Sequence, residues 1–334
     1  MNRDYYRVTS EGLKLRVPDA SVVIRADAKV RDKDGNIYHR FGSWSADGMA
    51  SLPCADTLEN KVRCFAAAVL LEGTAPTVDE LYVGPVLYEN QVVSKMVREY
   101  VSDYLHSTRK FQSGQFDKKY RYINKRIVDS AISVTQLGAD TLSDGFRLPG
   151  YRANDADGCA LQRVEVVKNG NLMRQLSGRY PSIGCSESTG NEMFVPRYGT
   201  TGYADGLLRI EASKTETYRG LYKKFLQRAK SAGLKYAYVV GAYPESEDLL
   251  LQVDTQTGQP RAVLGTFGKP EKGQMKAILG IAKELQADFQ YNWEGQWEGC
   301  IAPKAFLFDD VEMNVSKVTV DDTMPEQMYE LRQH

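Results

Sequence analysis

Histidine is scarce in this chain of 334 residues: His39, His106 and the terminal His334 are all it has. Two neighbouring histidines on one helix that could share one zinc ion are therefore excluded. Cysteine is thin too. Cys54, Cys64, Cys159, Cys185 and Cys300 form no CxxC pair and are odd in number. That favours reduced thiols over a disulfide frame. Net charge is missing, because 43 Lys and Arg balance 43 Asp and Glu. Bulk phosphate binding needs a basic face, so nucleic acid is not an expected partner. The longest apolar run, Cys64 to Leu71, is too short to span a bilayer, and no signal peptide is visible. The expectation is a cytoplasmic chain without a membrane partner, unless an upstream signal precedes this sequence. No GxSxG nucleophile elbow occurs.

What is present reads as strands and a few helices. Val22 to Val30 and Ile37 to Trp44 are strands joined by the turn Asp32 to Asn36. A calcium loop there fails, because its sixth position is Ile37 rather than Gly. Thr57 starts a helix with Leu58, Val62, Phe65, Val69 and Leu70 on one face. Thr74 to Thr77 reads as a linker. A second helix runs from about Val92 to His106, with Val92, Met96, Tyr100 and Tyr104 on one face. Ile127 to Gln136 reads as a strand, and helices are expected over Thr215 to Ala232 and Glu271 to Ala287. Lys118 to Arg126 is basic with interleaved tyrosines, and reads as a solvated face before a binding surface. The 20 tyrosines fit strands and amphipathic surfaces, or an aromatic peptide- or sugar-binding cleft.

The densest run of signals lies between Phe146 and Asn191. Asn169-Gly170 sits between apolar runs as a tight hairpin turn. Asn154 to Gly158 and Ser188-Thr189-Gly190-Asn191 are polar loops. Asp157-Gly158, Gln162-Arg163, Asn169-Gly170 and Ser188 to Asn191, in that order, resemble the C-terminal half of the TldD/PmbA proteins. These are metallopeptidases and their metal-free partners, formerly labelled modulators of DNA gyrase. Gly84-Pro85-Val86-Leu87-Tyr88-Glu89, Ala302 to Phe308 and Ser10-Glu11-Gly12 resemble further family stretches. The resemblance implies an α+β fold: a strand-rich TldD/PmbA-like C-terminal domain with several packed helices over residues 77–334. Residues 1–76 would be the later part of an N-terminal α/β domain.

In metal-bearing members the helix after Gly-Pro carries HExxxH, two ligands and a glutamate acting on zinc-bound water. Here that place falls near Val93-Ser94-Lys95-Met96-Val97-Arg98 and holds no histidine. Cys300 stands near the family's third ligand. The implied reading is a member with no metal or other cofactor of its own, inactive alone, that binds peptide or pairs with itself or a TldD/PmbA-type relative. Pocket candidates are Glu89, Asn191, Trp297, Glu298 and Cys300. Gly84-Pro85 and Gly299-Cys300 are expected as loops at its rim. The alternatives are a hydrolase working through Glu89, Glu294, Glu298 and Cys300, and a carbohydrate- or surface-binding module using Tyr and Trp.

Overall fold

The computed structural model describes residues 2–78, 81–107, 118–180, 185–195, 200–292 and 294–314. The terminal His334 lies outside them. Two hairpins come first. β1 (Asn2–Val8) pairs with β2 (Lys14–Ala20), and β3 (Val22–Arg31) with β4 (Ile37–Ala46). The Asp32 side chain accepts the backbone N–H of Asp34 and Asn36, which folds the acidic stretch into a turn. α1 (Ala55–Glu72) lays Phe65, Ala68 and Val69 inward, with Trp44 edge-on to Phe65.

Beyond it come β5 (Val83–Glu89), α2 (Asn90–Leu105), β6 (Ile132–Gln136) and the short pair β7 (Leu142–Ser143) and β8 (Phe146–Arg147). Then follow β9 (Val164–Lys168), β10 (Asn171–Leu172), β11 (Glu192–Val195), β12 (Thr200–Tyr203), β13 (Leu207–Ala212) and α3 (Tyr218–Ser231). β14 (Tyr236–Val240), β15 (Leu249–Asp254), β16 (Pro260–Leu264), β17 (Thr266–Phe267) and α4 (Lys272–Met275) lead to the last strands. Those are β18 (Gly280–Ile281), β19 (Leu285–Tyr291), β20 (Trp297–Pro303) and β21 (Ala305–Asn314).

Two sheets form the body. One runs β10-β9-β6-β13-β20-β19; the other runs β16-β15-β14-β5-β21, with β17 and β18 also on β21. α2 lies between them. Its residues Val93, Val97, Val101 and Leu105 share one core with Val134 and Leu208 of the first sheet and Phe306 and Phe308 of the second. α3 covers the outer face of the second sheet, where Leu221 and Phe225 meet Leu87, Val239 and Leu307. The fold is mixed α and β and strand-rich, as the sequence led us to expect. Among the described residues no helix is long and apolar enough to cross a membrane.

The β9–β10 hairpin turns at Asn169 and Gly170 with φ of 45° and 80°, both left-handed, as its Asn-Gly pair requires. Other expectations are corrected. The helix expected over Glu271 to Ala287 is one turn, α4, followed by strands. Its backbone N–H groups bond elsewhere: Ile278 donates to the Asp129 side chain, Leu279 to Leu307 O and Ala282 to Ala305 O. Tertiary partners outcompete the i−4 carbonyls, and Gly280 lets the chain pass against Leu221. Only the second half of Ile127 to Gln136 is strand, since Ile127 and Val128 donate instead to Gly170 O. Gly84-Pro85 and Gly299-Cys300 are not loops; they lie inside β5 and β20 and are buried.

Candidate functional site

α2 carries two stripes. The apolar one, one residue on from the face read in the sequence, feeds the core. The other is polar: Ser94, Arg98 and Ser102 follow at four-residue spacing, with His106 as C-cap. That stripe lies over β19 and β20. Period-two alternation and the antiparallel register bring Gln286, Asp288 and Gln290 beside Ala302, Cys300 and Glu298 on one face. Ala287, Phe289 and Tyr291 point the other way with Trp297 and Ile301, into a separate apolar cluster.

The contacts under α2 form a chain. Gln286 Nε2 donates to Asn90 O at 2.5 Å and to Ser94 Oγ at 2.9 Å. Cys300 Sγ donates to Ser94 O at 3.5 Å. Arg98 holds Glu298 through its two terminal guanidinium nitrogens, at 3.3 and 3.4 Å. Gln290 and Asn292 also donate to Glu298, at 2.8 and 3.1 Å. Farther along, Ser102 donates to Asp205, whose other oxygen is 2.7 Å from His106 Nε2.

Electrostatics follow from this arrangement. Burial pushes the Cys300 thiol up to about 12, aided by Asp288 and opposed by Arg98, so it stays protonated at neutral pH. Burial likewise holds Asp288 above the usual carboxylate range, with Arg98 pulling against it. Burial would raise Asp205, but hydrogen bonds from His106 and Ser102 and the charge of Arg98 outweigh it and hold it low.

At the N-terminus of α2, Glu89 ends β5 and Asn90 takes a left-handed φ of 55°. Asn90 Nδ2 donates to Gly241 O at 3.0 Å, which stabilises that bend. Burial raises the Glu89 carboxyl, against the 2.5 Å hydrogen bond from Tyr218 and the charge of Lys304.

The expected pocket residues are thus distributed. Glu298 and Cys300 share one face of β20 beneath the middle of α2, held to Arg98 and Ser94 respectively. Glu89 connects to them through Asn90, Gln286 and Ser94. The Trp297 ring lies on the opposite face of β20, stacked edge-on against Tyr291. Asn191 is fully buried in a turn network, bonding Ser177 O and Ala204 O. Ser94, Gln286 and Asp288 were not read from the sequence. Gln286 lay in a stretch phased as helix, which hid the strand alternation of Gln286, Asp288 and Gln290.

A zinc ion of the HExxxH type does not fit this set. Its two helix positions hold buried Val93 and the cation Arg98, and the one thiol is protonated, whereas zinc takes thiolate. Among the described residues no group of three His, Cys, Asp or Glu side chains is disposed to hold a metal.

Residues 82–243 match the family described as PmbA/TldA metallopeptidase C-terminal domain. Solved structures agree in fold. TldE from Thermococcus kodakarensis superposes with a TM-score of 0.59 at 13% identity, over 91% of this chain and 65% of that one. A putative modulator of a DNA gyrase from Thermotoga maritima gives 0.57 at 15%, over 91% and 65%. Another, from Bacteroides thetaiotaomicron, gives 0.57 at 14%, over 92% and 63%. This chain therefore spans about two thirds of those proteins' length. No curated protein matches it. Residues 82–243 thus match the C-terminal domain of the TldD/PmbA metallopeptidase-related proteins, and the fold around them agrees with those solved structures.

Proposed function

We propose that this chain is a non-catalytic subunit of a TldD/PmbA-type proteolytic assembly, binding peptide or a catalytic relative rather than cutting peptides itself. One observation carries the reading. The guanidinium of Arg98 occupies the middle of the α2 face, where it neutralises Glu298 and opposes Asp288 beside a protonated Cys300. A cation built into the helix repels a second cation at close range. The same facts weigh against a hydrolase using Glu298 and Cys300, because Glu298 is engaged by three side chains and the thiol is no nucleophile.

The test mixes the purified chain with an HExxxH-bearing relative. Light scattering and a peptide-cleavage assay are run on each alone and on the mixture. The chain alone is expected to cleave nothing, and the mixture to contain a complex. Cleavage by the chain alone, undiminished by chelator and abolished by Glu298→Gln, would promote the hydrolase. A monomer under both conditions would remove the partner role.

A further inference from the structure

A cleft of about 500 Å³ opens where the β1–β2 hairpin docks against the loop 150–152. That is within the ~300–1,000 Å³ range of small-molecule sites. The hairpin is anchored there on both sides: Arg7 pairs with Asp157 at 2.8 Å, and Tyr5 packs on Phe194. No residue of the α2 face lines the cleft.

Its charges are unequally satisfied. Three arginines, Arg3, Arg16 and Arg152, face three aspartates, Asp4, Asp19 and Asp47. Each aspartate has a close partner. Asp4 takes both nitrogens of Arg16 at 2.9 and 3.1 Å, Asp19 takes the Tyr291 hydroxyl at 2.5 Å, and Asp47 takes Arg147 at 3.0 Å. Two of the arginines are held only loosely. The Arg152 side chain is only 12% exposed, yet its nearest carboxylate contact is 3.5 Å, to Asp19, and its other contact is Met193 Sδ at 3.6 Å. Among the described residues, Arg3 reaches only Tyr5 Oη, at 3.4 Å. Burying a guanidinium without close acceptors is costly, and its planar fork suits a carboxylate.

We infer that the cleft binds a small monocarboxylate, such as the C-terminal carboxylate of a short peptide, on Arg152 with Arg3 at the rim. The single charge follows from the lining: its formal charges cancel, so a di- or trianion would meet Asp4 and Asp47. The wall supports organic matter beside the charge, through the exposed Tyr151 ring and Pro18. Trp297 finds its place here. It packs against Gly150 at the cleft and against Tyr291, which holds Asp19. The inference is independent of the reading of α2.

The test titrates the full chain, by calorimetry or NMR, with N-acetyl-trialanine, its C-terminal amide, and propionate. The acid is expected to bind at least roughly tenfold tighter than the amide, and Arg152→Gln to weaken the acid by roughly tenfold. Propionate binding as tightly as the peptide acid would support the carboxylate site and assign it to free small acids. Equal binding of acid and amide, or no saturable binding of any acid at millimolar concentration, would overturn it. So would a folded Arg152→Gln that binds the acid unchanged. Should that variant unfold, Arg3→Gln, on an exposed side chain, is expected to weaken the acid and spare the amide. An Arg3→Gln chain with unchanged acid affinity would then count against the site.

Discussion

Gly299→Ala is expected to lower stability by about 3–5 kcal/mol, read as a fall in the urea midpoint without a change in slope. Gly299 has a φ of 140°, which side chains rarely adopt, and an added Cβ would lie 2.0 Å from the Asp288 carbonyl oxygen. The obstacle is backbone of the paired strand, not a side chain that can turn aside. β19 and β20 would have to part at the register that sets Cys300 beside Asp288 and Glu298 beside Gln290. Gly233, just past α3, provides the comparison. Its φ of 73° is also left-handed, but nothing lies within 4 Å of its added Cβ. Alanine there should cost only about 1 kcal/mol. Equal losses at the two positions would mean that the close approach of the strands is not tight.

Arg98→Met is expected to cost roughly 2–3 kcal/mol near neutral pH, below the cost for a fully buried pair because both side chains keep some exposure. The variant keeps the stem and removes the charge, leaving Glu298 and Asp288 without their cation. The pH dependence distinguishes lost charge from lost packing. Burial already holds Asp288 above the usual range, with Arg98 opposing it. With the folded value above the unfolded one, stability linked to the protonated carboxyl is full below about pH 4 and is lost as pH rises through the folded value. Removing Arg98 raises that folded value further. The penalty should therefore be larger near pH 7 than near pH 5, and Glu298→Gln in the same chain should recover part of it. A penalty independent of pH would assign the effect to packing alone.

Much of the fold was legible where local chemistry and tertiary demand agree. Asn169-Gly170, Asp32 to Asn36 and the stripe of α3 each encode their own geometry. Leu249 to Val253 and Arg261 to Leu264, apolar runs on either side of a polar turn, pair as β15 and β16. The site was legible in part. The absence of histidine near Val93 to Arg98 could be read directly, but Arg98's partners could not. Glu298 lies 200 residues away in sequence and reaches Arg98 only because β20 runs under α2. Gln286 and Asp288 were hidden for another reason: Met275, Ile278, Leu279, Ala282 and Leu285 recur at helical spacing. The first four pack around the one-turn α4 and β18, while Leu285 begins β19 and is 40% exposed. Trp297 was grouped with Glu298 by adjacency, although neighbours in a strand face opposite ways.

An α2 face closed by its own cation should not take zinc. The full chain, incubated with excess zinc near neutral pH and dialysed, should retain far less than about one zinc per chain by elemental analysis. About one zinc per chain, lost in Cys300→Ala, would contradict the account.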